Sequence, residues 1–289
     1  MTYRELYEEG KGALAAAEIG EADLDARLLL EFVCGTDRNT LLVYGDREVT
    51  VEEETAYRAL LAGRAGRIPL QQLTGMQNFM GLDFCVNEHV LTPRQDTEIL
   101  VEEVLRNLHD GMRVLDMCTG SGCILISLLH YSNNCTGVGA DISAEALEVA
   151  KENAGRLLKK MSAELPAEIE FVQSDLFEHI TGQFDVIVSN PPYIQTSVID
   201  TLMPEVRDHE PRLALDGSED GLLFYREIVG ESSRYLKQGG MLFFEIGYNQ
   251  GEAVSRLMEQ AGFLEVQVIK DYGGLDRVVC GTRGFEMTV

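Results

Sequence analysis

Along Ala22-Asp23-Leu24-Asp25-Ala26-Arg27-Leu28-Leu29-Leu30-Glu31-Phe32-Val33, apolar side chains recur at helical spacing, and they do so again from Val51 to Leu61. Thr50 is placed to cap the second run, with Glu53 three residues on. Residues 1 to about 66 therefore read as a helical block that Gly63, Gly66 and Pro69 punctuate. Between 67 and 92 the pattern changes: Asn78-Phe79-Met80-Gly81-Leu82-Asp83-Phe84-Cys85-Val86 reads as two short strands about a glycine turn, a hairpin linker. After Thr92-Pro93-Arg94 the helical period returns, from Thr97 to Leu108. From Arg113 onward short apolar runs alternate with helical patterns, with strands expected at Arg113–Met117, Gly137–Asp141, Ile169–Gln173, Phe184–Ser189, Met241–Ile246, Leu264–Lys270 and Arg277–Gly281. Helical patterns separate the first five, which predicts an α/β domain over 93–289 with a mostly parallel sheet and helices on both faces. The last two runs have no helix between them and are expected to pair antiparallel at one edge. The long connection from Ile194 to Asp220 has the length of a lid, a binding loop or a disordered segment.

Composition narrows the classes. At 289 residues the chain has room for one large and one smaller domain, and its 45% hydrophobic and 25% charged content is ordinary for a globular protein. No apolar run approaches the roughly 20 residues of a membrane span. The start, MTYRELYEEGKGALAAAEIG, is acidic and amphipathic, unlike a signal or transit peptide, so a cytoplasmic location is expected. Acidic residues number 48 against 24 basic, for a net charge of −24, which argues against a nucleic-acid substrate because phosphate neutralisation drives such binding. The six cysteines contain no C-x-x-C pair and the five histidines are scattered, so reduced thiols and no metal site are expected.

The candidate chemistry lies at strand ends. Val114-Leu115-Asp116-Met117-Cys118-Thr119-Gly120-Ser121-Gly122-Cys123-Ile124 is a strand, a glycine loop and a helix start. Glycine lets backbone approach a ligand closely, and a helix N-terminus offers free N–H groups. The dinucleotide fingerprint would need a small residue where Leu125 stands, which disfavours NAD or FAD, and taken alone the loop fits a structural turn equally well. The next strand ends on Asp141, whose carboxylate can accept both hydroxyls of a ribose, and the third ends near Ser174-Asp175-Leu176-Phe177, an acid with apolar flanks suited to an adenine. The fourth ends in Val188-Ser189-Asn190-Pro191-Pro192-Tyr193, where two prolines fix two φ angles and remove two backbone donors in front of an amide. Each acid alone could be a helix cap. Together, Asp116, Asp141, Asp175 and Asn190 fall at the carboxyl ends of four successive strands, the ligand crevice of an open parallel sheet.

This layout resembles the class I S-adenosylmethionine-dependent methyltransferases, a Rossmann-like fold with a seven-stranded sheet. The resemblance implies S-adenosylmethionine contacts at Asp116, Cys118, Thr119, Gly120, Ser121, Gly122, Asp141, Ile142, Asp175, Leu176 and Asn190. It narrows at Asn190-Pro191-Pro192-Tyr193, which marks enzymes that methylate planar amide or exocyclic amino nitrogens. With Ile68-Pro69-Leu70-Gln71-Gln72-Leu73-Thr74-Gly75, Leu91-Thr92-Pro93-Arg94-Gln95-Asp96-Thr97-Glu98 and Glu210-Pro211-Arg212-Leu213-Ala214-Leu215-Asp216-Gly217, the chain is similar to the PrmC (HemK) family, glutamine N5-methyltransferases of peptide chain release factors. Family members often show Pro-Glu-Thr-Glu where Gln95-Asp96-Thr97-Glu98 stands, and a glycine where this loop begins with Cys118.

The resemblance implies a catalytic and substrate-binding set of Asn190, Pro191, Pro192 and Tyr193. The Asn190 side-chain oxygen and the Pro191 carbonyl would each accept one N–H of the substrate amide, while Pro192 and Tyr193 hold the turn and pack on the amide plane. Residues 1–66, which hold no nucleophile or glycine-rich loop, would dock the release factor, a packing annex with no partner being the alternative; residues 67–92 would link, and the enzyme would act as a monomer, away from membranes and without a nucleic-acid partner. An adenine N6-methyltransferase is the alternative the same motif allows, and a non-catalytic module that only retains the fold is a second.

Overall fold

The computed structural model describes residues 1–158 and 169–284. These fall into two compact units, one of Met1–Met76 with Met203–His209, the other of Gln77–Leu202 with Glu210–Val289.

In the first unit, polar caps start the helices. Thr2 accepts from the Glu5 amide while the Glu5 carboxylate accepts from the Thr2 amide, a reciprocal box that opens α1 (Tyr3–Ala16). α2 (Ala22–Cys34) stops at Gly35 in the left-handed region, and Asp37 caps α3 (Arg38–Val43). Thr50 and Glu53 form the expected box on α4 (Val51–Ala65), which runs through Gly63 and stops at Gly66. Gly63 sits inside the helix because a β-carbon there would lie 2.8 Å from Leu73 Cδ2, on the short α5 (Leu70–Thr74). Leu6, Leu14, Leu29, Leu30, Tyr57 and Leu61 form the core of this unit. Full burial of each aliphatic side chain contributes about 1.5–3 kcal/mol. Tyr57 reaches across to donate to the Ala26 carbonyl at 3.0 Å.

The glycine turn of β1 (Met76–Phe79) and β2 (Leu82–Cys85) places Met80 and Gly81 at positive φ, as the hairpin reading requires. The second unit continues with α6 (Gln95–Asn107), β3 (Arg113–Met117), α7 (Cys123–Tyr131), β4 (Thr136–Asp141), α8 (Ala144–Leu157), β5 (Ile169–Gln173) and β6 (Phe184–Ser189). After β6 come α9 (Thr196–Ile199), α10 (Pro204–Arg207), α11 (Leu223–Tyr235), β7 (Leu236–Glu245), α12 (Gly251–Gln260), β8 (Phe263–Lys270) and β9 (Asp276–Arg283). Among the described residues the sheet has seven strands in the order β5-β4-β3-β6-β7-β9-β8. β3 to β7 are parallel, and β9 runs antiparallel to both β7 and β8. The strand runs read as continuous apolar stretches because both faces are buried: Val114, Val186, Val188 and Phe243 pack one way, Leu115, Ile187, Leu242 and Phe244 the other.

One expectation needs correction. No helix separates β5 from β6. Residues 174–183 form turns, with the Ser174 hydroxyl accepting from the His179 amide at 2.9 Å and Gly182 at φ 86°. Phe177 and Ile180 are buried as anchors of those turns. The connection is too short to hold a helix and its two loops. Among the described residues no helix is long and apolar enough to cross a membrane.

The chain reverses its direction of travel across the sheet at β3: β4 and β5 build outward on one side, β6 and β7 on the other. A crevice opens at such a point, beyond the carboxyl ends of β3 and β6.

Candidate active site

The loop from Cys118 to Gly122 joins β3 to α7 and turns on three left-handed residues, Cys118 at φ 62°, Gly120 at 55° and Gly122 at 76°. The glycines take this at little cost, whereas a non-glycine residue held there costs about 1–3 kcal/mol. Cys118 thus carries strain as the one residue of the three that is not glycine. Gly120 faces open space, with nothing within 4 Å of an added β-carbon, while one at Gly122 would lie 2.9 Å from Ile126 Cδ1. Asp116 is fully buried behind the loop and organises it: its Oδ2 accepts from the Thr119 hydroxyl at 2.6 Å and from the Leu125 amide at 3.3 Å. Its Oδ1 has no partner. Burial pushes the Asp116 carboxyl up to about 7, against the pull of those two bonds and with a further push from the Asp141 charge.

Asp141 ends β4. Its Oδ2 accepts from the Gly120 amide at 2.9 Å and its Oδ1 from the Ser143 amide at 3.0 Å. Each oxygen keeps a further lone pair for a ligand hydroxyl. Burial raises its pKa, and the backbone bonds from Ser143, Gly120 and Ile142 oppose the rise. Beyond β5, Leu176 sits at φ 46° with its carbonyl held by the Ser174 hydroxyl at 2.7 Å.

β6 ends in the Asn-Pro-Pro-Tyr turn, tied to β3 by the Ser189 hydroxyl, which donates to the Met117 carbonyl at 2.6 Å. The Asn190 amide nitrogen lies 3.4 Å from the Thr97 hydroxyl on α6. Pro191 and Pro192 are buried. The Tyr193 hydroxyl donates to Glu245 Oε1 at 3.4 Å, and its carbonyl accepts from the Gln250 side chain at 3.1 Å. Burial raises the Tyr193 pKa, and the neighbouring Glu245 charge adds to the rise. Burial also pushes the Glu245 carboxyl up to about 7, opposed by the Thr97 hydroxyl and the Arg277 charge.

The connection after Tyr193 returns over it. Ile194 and Gly217 exchange backbone bonds with their neighbours, Ile194 N to Leu215 O at 3.0 Å and Gly217 N to Ile194 O at 2.8 Å. Glu210 is buried and accepts from Arg94 Nη2 with both oxygens at 2.7 Å. The Thr-Pro-Arg and Glu-Pro-Arg-Leu stretches, far apart in sequence, are therefore clasped together, and Pro93, Pro211 and Leu213 of those stretches share one cavity wall.

That cavity, of about 520 Å³, collects Cys118, Thr119, Gly120, Ser121, Asp141, Ile142, Asp175, Leu176, Asn190 and Pro192. Asp116, Gly122, Pro191 and Tyr193 are not among its lining residues; Asp116 and Gly122 shape the loop and Tyr193 anchors the turn. Thr97, Arg94, Leu213, Phe224 and Glu227 line it and were not singled out by sequence reasoning. For Thr97, Arg94 and Leu213 the motif stretches themselves were a signal, although nothing in them indicated a role. Gly120 and Asp141 offer a backbone approach and a diol acceptor on one side of the cavity, and the aliphatic and acidic pair Leu176 and Asp175 borders it. This donor and acceptor set, with the open cradle at Gly120, fits an adenosine-bearing group. No group of His, Cys, Asp and Glu side chains among the described residues is arranged to hold a metal ion.

Comparison with known proteins agrees with this architecture. Residues 5–75 match the family described as PrmC N-terminal domain, and residues 94–208 match the methyltransferase small domain. The release factor glutamine methyltransferase of Caulobacter vibrioides is 42% identical over 286 residues, covering 98% of this chain and 97% of that protein. The protein of the same name from Geobacter sulfurreducens is 42% identical over 284 residues, covering 98% of this chain and 97% of that one. Among solved structures, a methyltransferase from Pyrococcus furiosus superposes with a TM-score of 0.53 at 17% identity, over 78% of this chain and 100% of that one, a likeness of fold. With such identity sustained over nearly the whole of both sequences, the chain belongs to the family of release factor glutamine methyltransferases.

Proposed function

We propose that the protein transfers a methyl group from S-adenosylmethionine to the side-chain nitrogen, N5, of the glutamine in the Gly-Gly-Gln motif of peptide chain release factors. The observation that carries this reading is that Asn190 and Pro192 line the same cavity as Gly120 and Asp141. A clamp for a flat amide and a cradle for an adenosine-bearing donor thus open onto one space.

A glutamine amide is a weak nucleophile because its nitrogen lone pair is delocalised into the carbonyl. The bound S-adenosylmethionine supplies a methyl already activated on a sulfonium, with the electron pair of the broken C–S bond staying on sulfur in S-adenosylhomocysteine. What the chain must add is orientation. Asp141 would take the ribose hydroxyls, Gly120 and its neighbours the backbone-facing part, and Asp175 and Leu176 the adenine side. Asn190 Oδ1 and the Pro191 carbonyl would each accept one N–H of the substrate, fixing the amide plane and turning one nitrogen face toward the methyl. Both bonds strengthen as positive charge grows on that nitrogen, so they stabilise the transition state more than the ground state. The surplus N–H proton leaves to water. The helical residues 1–66 would dock the factor, and the cytoplasm, where translation ends, is the compartment this reading assigns.

Asn190→Ala tests the clamp. It should abolish single-turnover methyl transfer while S-adenosylmethionine binding, measured by calorimetry, stays close to that of the unaltered protein. Near-normal transfer by this variant would refute the assignment.

A further inference from the structure

The Asn-Pro-Pro-Tyr turn lacks two of the backbone donors that would ordinarily tie such a segment down, because Pro191 and Pro192 carry no N–H. Its flanks must hold it instead. On the β6 side the Ser189 hydroxyl donates to the Met117 carbonyl at 2.6 Å. On the far side the Tyr193 carbonyl accepts from Gln250 Nε2 at 3.1 Å.

Gln250 lies between β7 and α12 and is buried. Both ends of its amide are in use. Nε2 also donates to the Gly221 carbonyl at 3.1 Å, and Oε1 accepts from the Gly247 amide at 2.9 Å. A side-chain amide keeps nearly the same shape when flipped, so its own form does not choose an orientation. Here backbone groups choose it: two carbonyls can only accept and one N–H can only donate. The amide also has no slack. A β-carbon on Gly221 would lie 2.8 Å from Nε2, and one on Gly247 would lie 3.0 Å from Oε1. Three segments therefore meet on one amide: the Asn-Pro-Pro-Tyr turn, the chain just past the connection from Ile194 to Asp220, and the loop that follows β7. Gln250 is not among the residues lining the cavity, so it acts through the turn rather than by touching either ligand.

We propose that Gln250 is a positioning residue for methyl transfer, whose amide pins the Asn-Pro-Pro-Tyr turn so that the Asn190 side chain and the Pro191 carbonyl are presented to the substrate as a pair. The inference rests on reading those two groups as the acceptors of the substrate amide.

The test uses the full-length protein with a release factor and labelled S-adenosylmethionine. Gln250→Met keeps the length of the side chain and removes its amide. It should slow single-turnover transfer by about 10²-fold, the scale of misplaced reacting groups. Affinity for S-adenosylmethionine and KM for the factor should stay near those of the unaltered protein. If the Met variant fails to fold, Gln250→Glu carries the test: it keeps the acceptor for Gly247 and supplies at most one hydrogen for two carbonyls, and a loss of about tenfold is expected. Met258→Ala is the comparison for general destabilisation, since Met258 is buried about two turns further along α12. It should lower the melting temperature and leave the transfer rate in place. Near-unaltered transfer by the Gln250 variant would overturn the inference. So would a loss confined to S-adenosylmethionine affinity or to KM, or an equal slowing by Met258→Ala. An unaltered protein that methylates no factor would instead overturn the reading beneath it, and this inference with it.

Discussion

Two carboxyls behind the cavity wall, Asp116 and Glu245, are buried without a charge partner strong enough to keep them ionised at low pH, and each is pushed up to about 7 from ordinary values of 3.8 and 4.5. Folded pKa values above the unfolded ones mean that the native state holds the extra protons between roughly pH 4 and 7. Stability from these groups therefore falls as pH rises through that window, and the loss is complete above it. Glu245→Gln keeps the shape and cannot ionise. Its melting temperature relative to the unaltered protein should become more favourable from about pH 5 to about pH 8. A difference that stays constant with pH would show that Glu245 does not titrate in this range. At this scale the sequence was readable where a side chain's place follows from its own strand: Asp141 and Asn190 end strands and border the cavity as expected. Thr97 was not readable, because its partner Asn190 lies 93 residues away and only the folded sheet brings α6 over β6. The strain at Cys118 was half visible, as a departure from glycine whose left-handed backbone only the structure reveals.

Among the elements, the connection from Ile194 to Asp220 shows what its motif residues are for. It contains α9, α10 and a short 3₁₀ turn at Arg212–Ala214, and it closes on itself above Tyr193. The fit there is tight: a β-carbon on Gly221 would lie 2.4 Å from the Tyr193 carbonyl oxygen, and Gly221 has φ 72°. Gly221→Ala should destabilise the protein by at least the ~1–2 kcal/mol of a left-handed alanine, with the overlap adding to it. It should also slow transfer by displacing the turn that carries Asn190. Denaturant midpoints and single-turnover rates check both, and an unchanged midpoint would contradict the close approach. Within the first unit, α10 is held by Glu205, which accepts from Arg64 at 3.1 Å and Arg67 at 3.3 Å, while Arg64 also donates to Asp25 at 2.7 Å. Breaking a buried pair of this kind typically costs about 3–5 kcal/mol. The central strands β3, β6 and β7 were legible because their short apolar runs, buried on both faces, are bounded by turn residues and are too short for a helix. The β5–β6 turns were missed because two buried anchors three residues apart, Phe177 and Ile180, imitate one helical face. The Arg94–Glu210 clasp could not be read from sequence, since both partners sat in motifs that gave no distance between them.

For the molecule as a whole, net charge separates the candidate substrates. With 48 acidic residues against 24 basic, the protein lacks the surplus of cations that duplex binding draws on. A protein side chain presents no such phosphate requirement, and under the proposed reading its amide would meet the Asn190 turn in the same plane as an adenine amino group would. The central claim is thus a claim about which nitrogen receives the methyl. It is tested most directly by incubating the protein with labelled S-adenosylmethionine, a release factor, the same factor with its Gly-Gly-Gln glutamine replaced, and oligonucleotides, then locating the label by peptide mass spectrometry. The account predicts label on that glutamine alone and none in the replaced factor. Label in the oligonucleotides, or label persisting in the factor after the glutamine is gone, would contradict it.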